Sequence, residues 1–128
     1  MSALACGCPG ANVRTIEKPE TEDVTYTDSR PSELRQWPTQ LHLVPPHAPY
    51  LQKAHLLIAA DCVPFAYADF HKDFIKGRVL VNACPKLDDT GPYVEKLAAI
   101  IAQNDIQSVT VTIMEVPCCR GMAMFAQQ

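Results

Sequence analysis

Several kinds of segment are absent from this sequence of 128 residues, and their absence narrows the possible functions. The longest apolar runs, such as Leu56–Ala60, are far shorter than the roughly 20 residues of a membrane-spanning helix, so we expect no membrane partner. The formal charge is −3 and no basic face is evident, which argues against nucleic acid as a partner. Met1–Cys6 lacks the charged and apolar regions of a secretory signal, and we therefore expect a cytoplasmic protein.

Common nucleotide and zinc motifs are missing as well. Neither G-x-G-x-x-G nor G-x-x-x-x-G-K-[ST] occurs, so nothing in the sequence supports a dinucleotide or nucleoside-triphosphate site. The Cys-x-x-Cys knuckle that is typical of structural zinc sites is also absent.

Cysteine, in contrast, is abundant for a chain of this size, with six residues. Structural disulfides are rare in a reducing compartment, so cysteines that cluster there indicate metal binding or redox chemistry. The positions of these cysteines relative to the predicted strands are therefore the main indication of function.

The chain divides into two parts by composition. Residues 1–36 form a cysteine-containing N-terminal segment and an acidic, proline-containing linker, and residues 37–128 form the predicted α/β domain.

In the second part, short apolar runs alternate with helical patterns, which is typical of a parallel sheet covered by helices. We predict a three-layer α/β domain, flavodoxin-like or Rossmann-like, with about four parallel strands. The predicted strands are Gln40–Val44, His55–Asp61, Arg78–Ala83 and Gln107–Val116, and the helices are Pro64–Lys76 and Pro92–Asn104.

Four cysteines follow three of these strands. Cys62 follows the second strand, Cys84 the third, and the pair Cys118 and Cys119 the fourth. The carboxyl ends of parallel strands meet at one edge of the sheet, where such folds bind ligands, so we expect the four thiols to converge there.

Four converging thiols in a reducing cell indicate an iron–sulfur or a zinc site. The Cys84-Pro85 and Cys8-Pro9 pairs and the apolar residues around the strand ends favour iron–sulfur. We predict a four-iron cluster on Cys62, Cys84, Cys118 and Cys119, serving electron transfer or small-molecule redox chemistry.

Other interpretations of the cysteines remain open. The same thiols suit a structural or regulatory zinc module, and the vicinal pair Cys118-Cys119 suits a thiol–disulfide redox protein. Cys6 and Cys8 are candidates for further ligands, and the alternative is a tail with incidental thiols.

Several motifs resemble an uncharacterised family of iron–sulfur proteins from anaerobic bacteria and archaea. In chain order they are Cys6–Gly10 (CGCPG), Leu34–Pro38, Gln40–Pro46, Ala59–Tyr67 (AADCVPFAY), Ala83–Asp89 (ACPKLDD) and Met114–Cys119 (MEVPCC). In that family the domain usually follows a ferredoxin-type module with two four-iron clusters. The resemblance therefore implies electron exchange with a ferredoxin-type donor or a larger redox enzyme.

The sequence departs from the family pattern in two places. The ferredoxin module is missing here, which implies either a separate donor protein or an excised domain. Family members also continue into a further helix and strand, whereas this chain ends soon after Cys119, so we expect a replaced or shortened terminus at Met122–Gln128.

Overall fold

A computed structural model describes residues 29–115 and 120–127. It contains three strands, β1 (His55–Ala60), β2 (Val79–Ala83) and β3 (Ser108–Thr112). The main helices are α1 (Val63–Ala66), α2 (Tyr93–Gln103) and α3 (Arg120–Gln127), and a 3₁₀ turn at Pro49–Leu51 precedes β1.

The three strands form one parallel sheet in the order β2-β1-β3. Leu56 of β1 is in register with Val79 on one side and Val109 on the other. Five consecutive residues of β1, from Leu56 to Ala60, are buried, because a central parallel strand is covered on both faces. The predicted α/β class with a parallel sheet is therefore confirmed.

The two crossover connections run in opposite directions across the sheet. β1 is followed by β2 on one side, and the chain then passes over β1 through α2 to reach β3 on the other side. Because such crossovers are right-handed, the two connections cover opposite faces of the sheet. This arrangement gives three layers and leaves the carboxyl ends of all three strands at one edge.

The predicted first strand, Gln40–Val44, is wrong. Gln40 makes a single parallel bridge to Asn82, and the chain then turns because the amides of Leu43 and Val44 donate to the Gln40 carbonyl at 2.8 and 3.0 Å. The apolar pattern that suggested a strand reflects core packing of Leu41 and Val44, both fully buried. The sheet of the described residues therefore has three strands where we predicted about four.

The predicted helix Pro64–Lys76 is divided into two pieces. The short helix α1 ends at Tyr67, which has extended backbone angles, and a π-helical turn follows at His71–Ile75. A π turn brings residues five apart in sequence onto one side, and Phe70 and Ile75 are both buried. Gly77, with φ +76°, follows the end of this turn.

Helix α2 matches the predicted Pro92–Asn104 closely. Its buried residues are Tyr93, Leu97 and Ile100, whereas Ile101 is exposed. Just after the helix, the buried Asn104 donates from Nδ2 to the carbonyls of Pro46 (2.7 Å) and Ile100 (2.9 Å). These bonds fix the loop before β1 against the end of α2.

Helix α3 was not predicted, since the terminus was expected to be replaced or shortened. It packs against α2, β1 and β3, and Met122 is fully buried in the core. None of the helices in the part of the chain that the structure describes is long and apolar enough to cross a bilayer.

Truncating the buried methionine of α3 should be costly. Met122→Ala is expected to lower the free energy of unfolding by about 2–5 kcal/mol, because it leaves a cavity between α3 and the sheet. The matched control is Met124→Ala on the same helix, where the side chain is 58% exposed and the change should be within about 0.5 kcal/mol. Urea unfolding of both variants measures the difference, and equal effects would contradict the packing of α3.

Candidate functional site

Cys62 and Cys84 lie at the same edge of the sheet, at the carboxyl ends of neighbouring strands. The amide of Asp61 donates to the carbonyl of Ala83 at 3.1 Å, which extends the β1–β2 pairing by one residue. Each cysteine is the next residue after one partner of this bond, so their Cα atoms lie within about 11 Å of each other. Both thiols are free, Cys62 being exposed and Cys84 half-buried.

The other predicted ligands, Cys6, Cys8, Cys118 and Cys119, lie outside the described residues. In the sequence, Cys119 directly precedes Arg120, the first residue of α3. Within residues 29–115 and 120–127, no three His, Cys, Asp or Glu side chains are grouped closely enough to hold a metal ion.

The backbone around Cys84 is fixed by Asp88. The amide of Cys84 donates to Asp88 Oδ2 at 2.9 Å, and the amide of Asp88 donates to the Cys84 carbonyl at 2.9 Å. The buried hydroxyl of Tyr93, the first residue of α2, donates to the same carboxylate oxygen. The loop that carries Cys84 is therefore closed on itself and attached to α2.

Electrostatics in this loop follow from burial and hydrogen bonding. Burial of Asp88 raises its pKa. The hydrogen bonds from Cys84 and Tyr93 and the nearby His42 lower it by more, so the pKa of Asp88 is below its ordinary value. Burial first, and then Asp88, raises the pKa of Tyr93 far above its ordinary value, with smaller contributions from Asp61 and Cys84. Asp88 is therefore an anion and Tyr93 a neutral donor near pH 7.

A residue from the segment before β1 covers the Tyr93 ring. The imidazole of His42 packs on it with ring centroids 4.6 Å apart, and Lys96 Nζ donates to the His42 carbonyl at 2.8 Å. Burial lowers the pKa of Lys96. The Gln40–Val44 segment, which was predicted as a strand, thus packs through His42 on Tyr93, the residue that binds Asp88.

A second polar pair lies at the ends of β1 and β2. Asn82 Nδ2 donates to Asp61 Oδ1 at 2.7 Å, while Asn82 Oδ1 is buried without a hydrogen-bond partner among the described residues. This pair precedes the two cysteines in sequence, Asn82 by two positions and Asp61 by one.

Sequence reasoning did not single out Asn82 and Tyr93. The sequence feature that could have identified Asn82 is its polar side chain within the otherwise apolar strand Val79–Ala83. Tyr93 opens the clearest helical pattern of the chain, but its hydrogen bond to Asp88 depends on the fold of the intervening loop, which the pattern does not encode.

In chemical terms, the described part of the edge offers two reduced thiols. Thiolates are the usual ligands of iron–sulfur clusters and of zinc, both of which take four ligands in their common sites. Cys62 and Cys84 therefore fit as half of such a set, with the remaining ligands to come from cysteines elsewhere in the chain.

Comparison with known proteins agrees with the fold. A family model described as a Rossmann-like domain matches residues 48–128, and the chain belongs to that family. The chain is also similar to an uncharacterised protein of Archaeoglobus fulgidus, with 34% identity over 96 residues that span 75% of this chain and 67% of the archaeal protein. No solved structure matches the chain.

The Asp88 contacts lead to a pH-dependent prediction for the metal-free chain. Because the pKa of Asp88 is lower when folded than when unfolded, its charge stabilises the fold at pH values above its unfolded pKa of about 4. This stabilisation is lost as the pH falls through the folded pKa. Asp88→Asn should therefore lower the free energy of unfolding by about 1.5–3 kcal/mol at pH 7, and by progressively less below pH 4.

Asp89→Asn is the matched control, since Asp89 is exposed and accepts a local bond from the Gly91 amide. Denaturant unfolding at pH 7 and at about pH 3 measures both variants. A difference between wild type and Asp88→Asn that does not change with pH would contradict the assigned role of the Asp88 charge.

Proposed function

We propose that this protein binds an iron–sulfur cluster, of the four-iron type, and takes part in electron transfer. The proposed ligands are Cys62, Cys84, Cys118 and Cys119, with Cys6 and Cys8 as candidates for additional ones. The observation that carries the proposal is the position of Cys62 and Cys84 on either side of the Asp61–Ala83 hydrogen bond, both as free thiols.

The surroundings of the two thiols also support a redox role. Apolar residues Val63 and Pro64 follow Cys62, and an apolar shell tunes the potential of a cluster by limiting its contact with water. When bound, the cluster supplies one-electron chemistry, and the chain supplies the ligands and their orientation. Asp88 contributes by fixing the backbone of Cys84.

Cys118 and Cys119 are included in the proposal because of their position in the sequence. They fall between β3, which ends at the carboxyl edge, and α3, which packs against β1 and β3. A connection between a strand and the following helix begins at this edge in parallel α/β folds, so these residues are suited to complete the ligand set.

The resemblance to iron–sulfur proteins of anaerobes further supports the proposal. Its motifs surround all four proposed ligands, and the similarity to the Archaeoglobus fulgidus protein is consistent with a distribution among archaea. From this resemblance we propose a cytoplasmic protein that exchanges electrons with a ferredoxin-type donor or a larger redox enzyme.

Metal and sulfide analysis tests the proposal. Protein purified without oxygen should be brown, contain about four iron and four acid-labile sulfide per chain, and give an electron paramagnetic resonance signal after reduction. Single serine variants of Cys62, Cys84, Cys118 and Cys119 should each lose most of the iron. Colourless protein with bound zinc would establish the zinc module instead, and protein without either metal would overturn both.

The matched control is Leu87→Ser, three residues after Cys84, where the leucine is exposed and makes no part of the core. It should keep the iron and sulfide of the wild type. The double variant Cys6→Ser/Cys8→Ser decides the N-terminal pair, because loss of the signal would assign both cysteines as ligands and an unchanged signal would exclude them.

A further inference from the structure

A cleft next to the cysteine edge is not used by the proposed cluster. We call it the Trp37 cleft, and it encloses about 220 Å³ between the segment at 34–39, the turn after β1 and one face of β2. Its apolar walls are formed by seven side chains: Leu34, Trp37, Pro64, Phe65, Phe70, Ile75 and Leu80. An apolar cavity of about 150 Å³ can bind benzene, so the Trp37 cleft has room for one substituted aromatic ring.

Two of the wall residues are aromatic and exposed. Trp37 is 78% and Phe65 is 94% exposed, although both line the cleft. Such side chains gain little from the fold, and their flat faces are suited to stacking on a planar ligand. Exposed aromatic rings at the rim of a concave surface therefore favour an aromatic ligand.

The lining of the cleft also includes polar side chains. Asp61 and Asn82 both line the cleft and are joined by the 2.7 Å bond from Asn82 Nδ2 to Asp61 Oδ1. This bond uses one of the two N–H groups of the Asn82 amide. Asn82 Oδ1 is buried and unpartnered among residues 29–115 and 120–127, so the partly exposed Asp61 is the group of this pair that a ligand can contact.

Asp61 accepts hydrogen bonds and is an acid. No lysine or arginine of the described residues forms an ion pair with Asp61. A ligand that fits must therefore present hydrogen-bond donors, and a positive charge would be favoured beside the carboxylate. Ligands that carry a carboxylate of their own would be repelled.

The geometry points to the Trp37 cleft as a binding site for a planar, single-ring ligand with N–H donors at one edge, such as an aromatic amidine or an amino-substituted heterocycle. The ring lies between Trp37 and Phe65, and its N–H groups face Asp61. Asp61 directly precedes Cys62, so the ligand lies beside the proposed cluster site, but none of the thiols is needed to bind it.

Benzamidine is the probe that tests this site. Calorimetric titration of the full-length protein should show saturable binding with a dissociation constant on the order of 1 mM or tighter. Emission from Trp37, the single tryptophan of the chain, should change with the same midpoint. Benzoate, of similar size but with a carboxylate in place of the amidinium, should bind at least about tenfold more weakly.

Variants of the cleft residues distinguish binding in the cleft from adsorption elsewhere on the surface. Asp61→Asn should weaken benzamidine binding about tenfold or more, because the charge-assisted hydrogen bond is lost. Phe65→Ala removes an exposed wall without touching the core and should also weaken binding, which keeps the test valid if Asp61→Asn disturbs the fold. The control is Leu43→Ala, an exposed apolar residue outside the cleft, which should bind as the wild type does.

Cys62→Ser should bind benzamidine with unchanged affinity, so this site can be distinguished from the metal site whether or not a cluster is bound. Absence of saturable binding, equal affinity for benzoate and benzamidine, or wild-type affinity in both Asp61→Asn and Phe65→Ala would each overturn the proposal.

Discussion

The parallel pairing of β1 with a strand on each side determines where Cys62, Cys84 and the polar residues at the ends of β1 and β2 lie. Leu56 to Ala59 are buried and paired on both edges, so the register of β2 and β3 is fixed relative to the same four residues. A shift of one residue would turn the buried side chains of a neighbouring strand to the opposite face. The pairing therefore also sets the residues that emerge at the carboxyl edge, among them Cys62 and Cys84.

Two sets of contacts organise this edge on either side of the β1–β2 pair. Asp88 and Tyr93 hold the loop that carries Cys84, and His42 packs on the Tyr93 ring. Asp61 and Asn82 are bonded to each other and line the Trp37 cleft. Both sets depend on residues that directly follow or end a strand, which is the usual place for ligand binding in open parallel sheets. The carboxyl edge of the sheet thus carries the thiols of Cys62 and Cys84 and lies next to the Trp37 cleft, which is lined by apolar residues and the acid Asp61.

The sequence predicts the sheet well because its strands and α2 have strong local patterns. The apolar run at Leu56–Ala60 and the β-branched residues of β3 indicate strands without help from the rest of the chain. The predictions that were wrong concern segments in which tertiary packing, and not the local sequence pattern, determines the structure. Leu41 and Val44 are apolar because they enter the core from a turn, and the helix after β1 is divided where Tyr67 adopts extended backbone angles. The contact of Tyr93 with Asp88 and the unpartnered oxygen of Asn82 arise from tertiary geometry, which no periodicity in the sequence encodes.

Chemical cross-linking tests most directly the claim that the fold holds Cys62 and Cys84 together. In a chain with serine at positions 6, 8, 118 and 119, these two thiols are the only ones left. A bifunctional thiol reagent that spans about 10 Å, two strand spacings, should link them within most native molecules and in far fewer molecules in denaturant, as read by mass spectrometry of the peptides. Native protein that yields only singly modified thiols, or that cross-links no better than unfolded protein, would contradict the account.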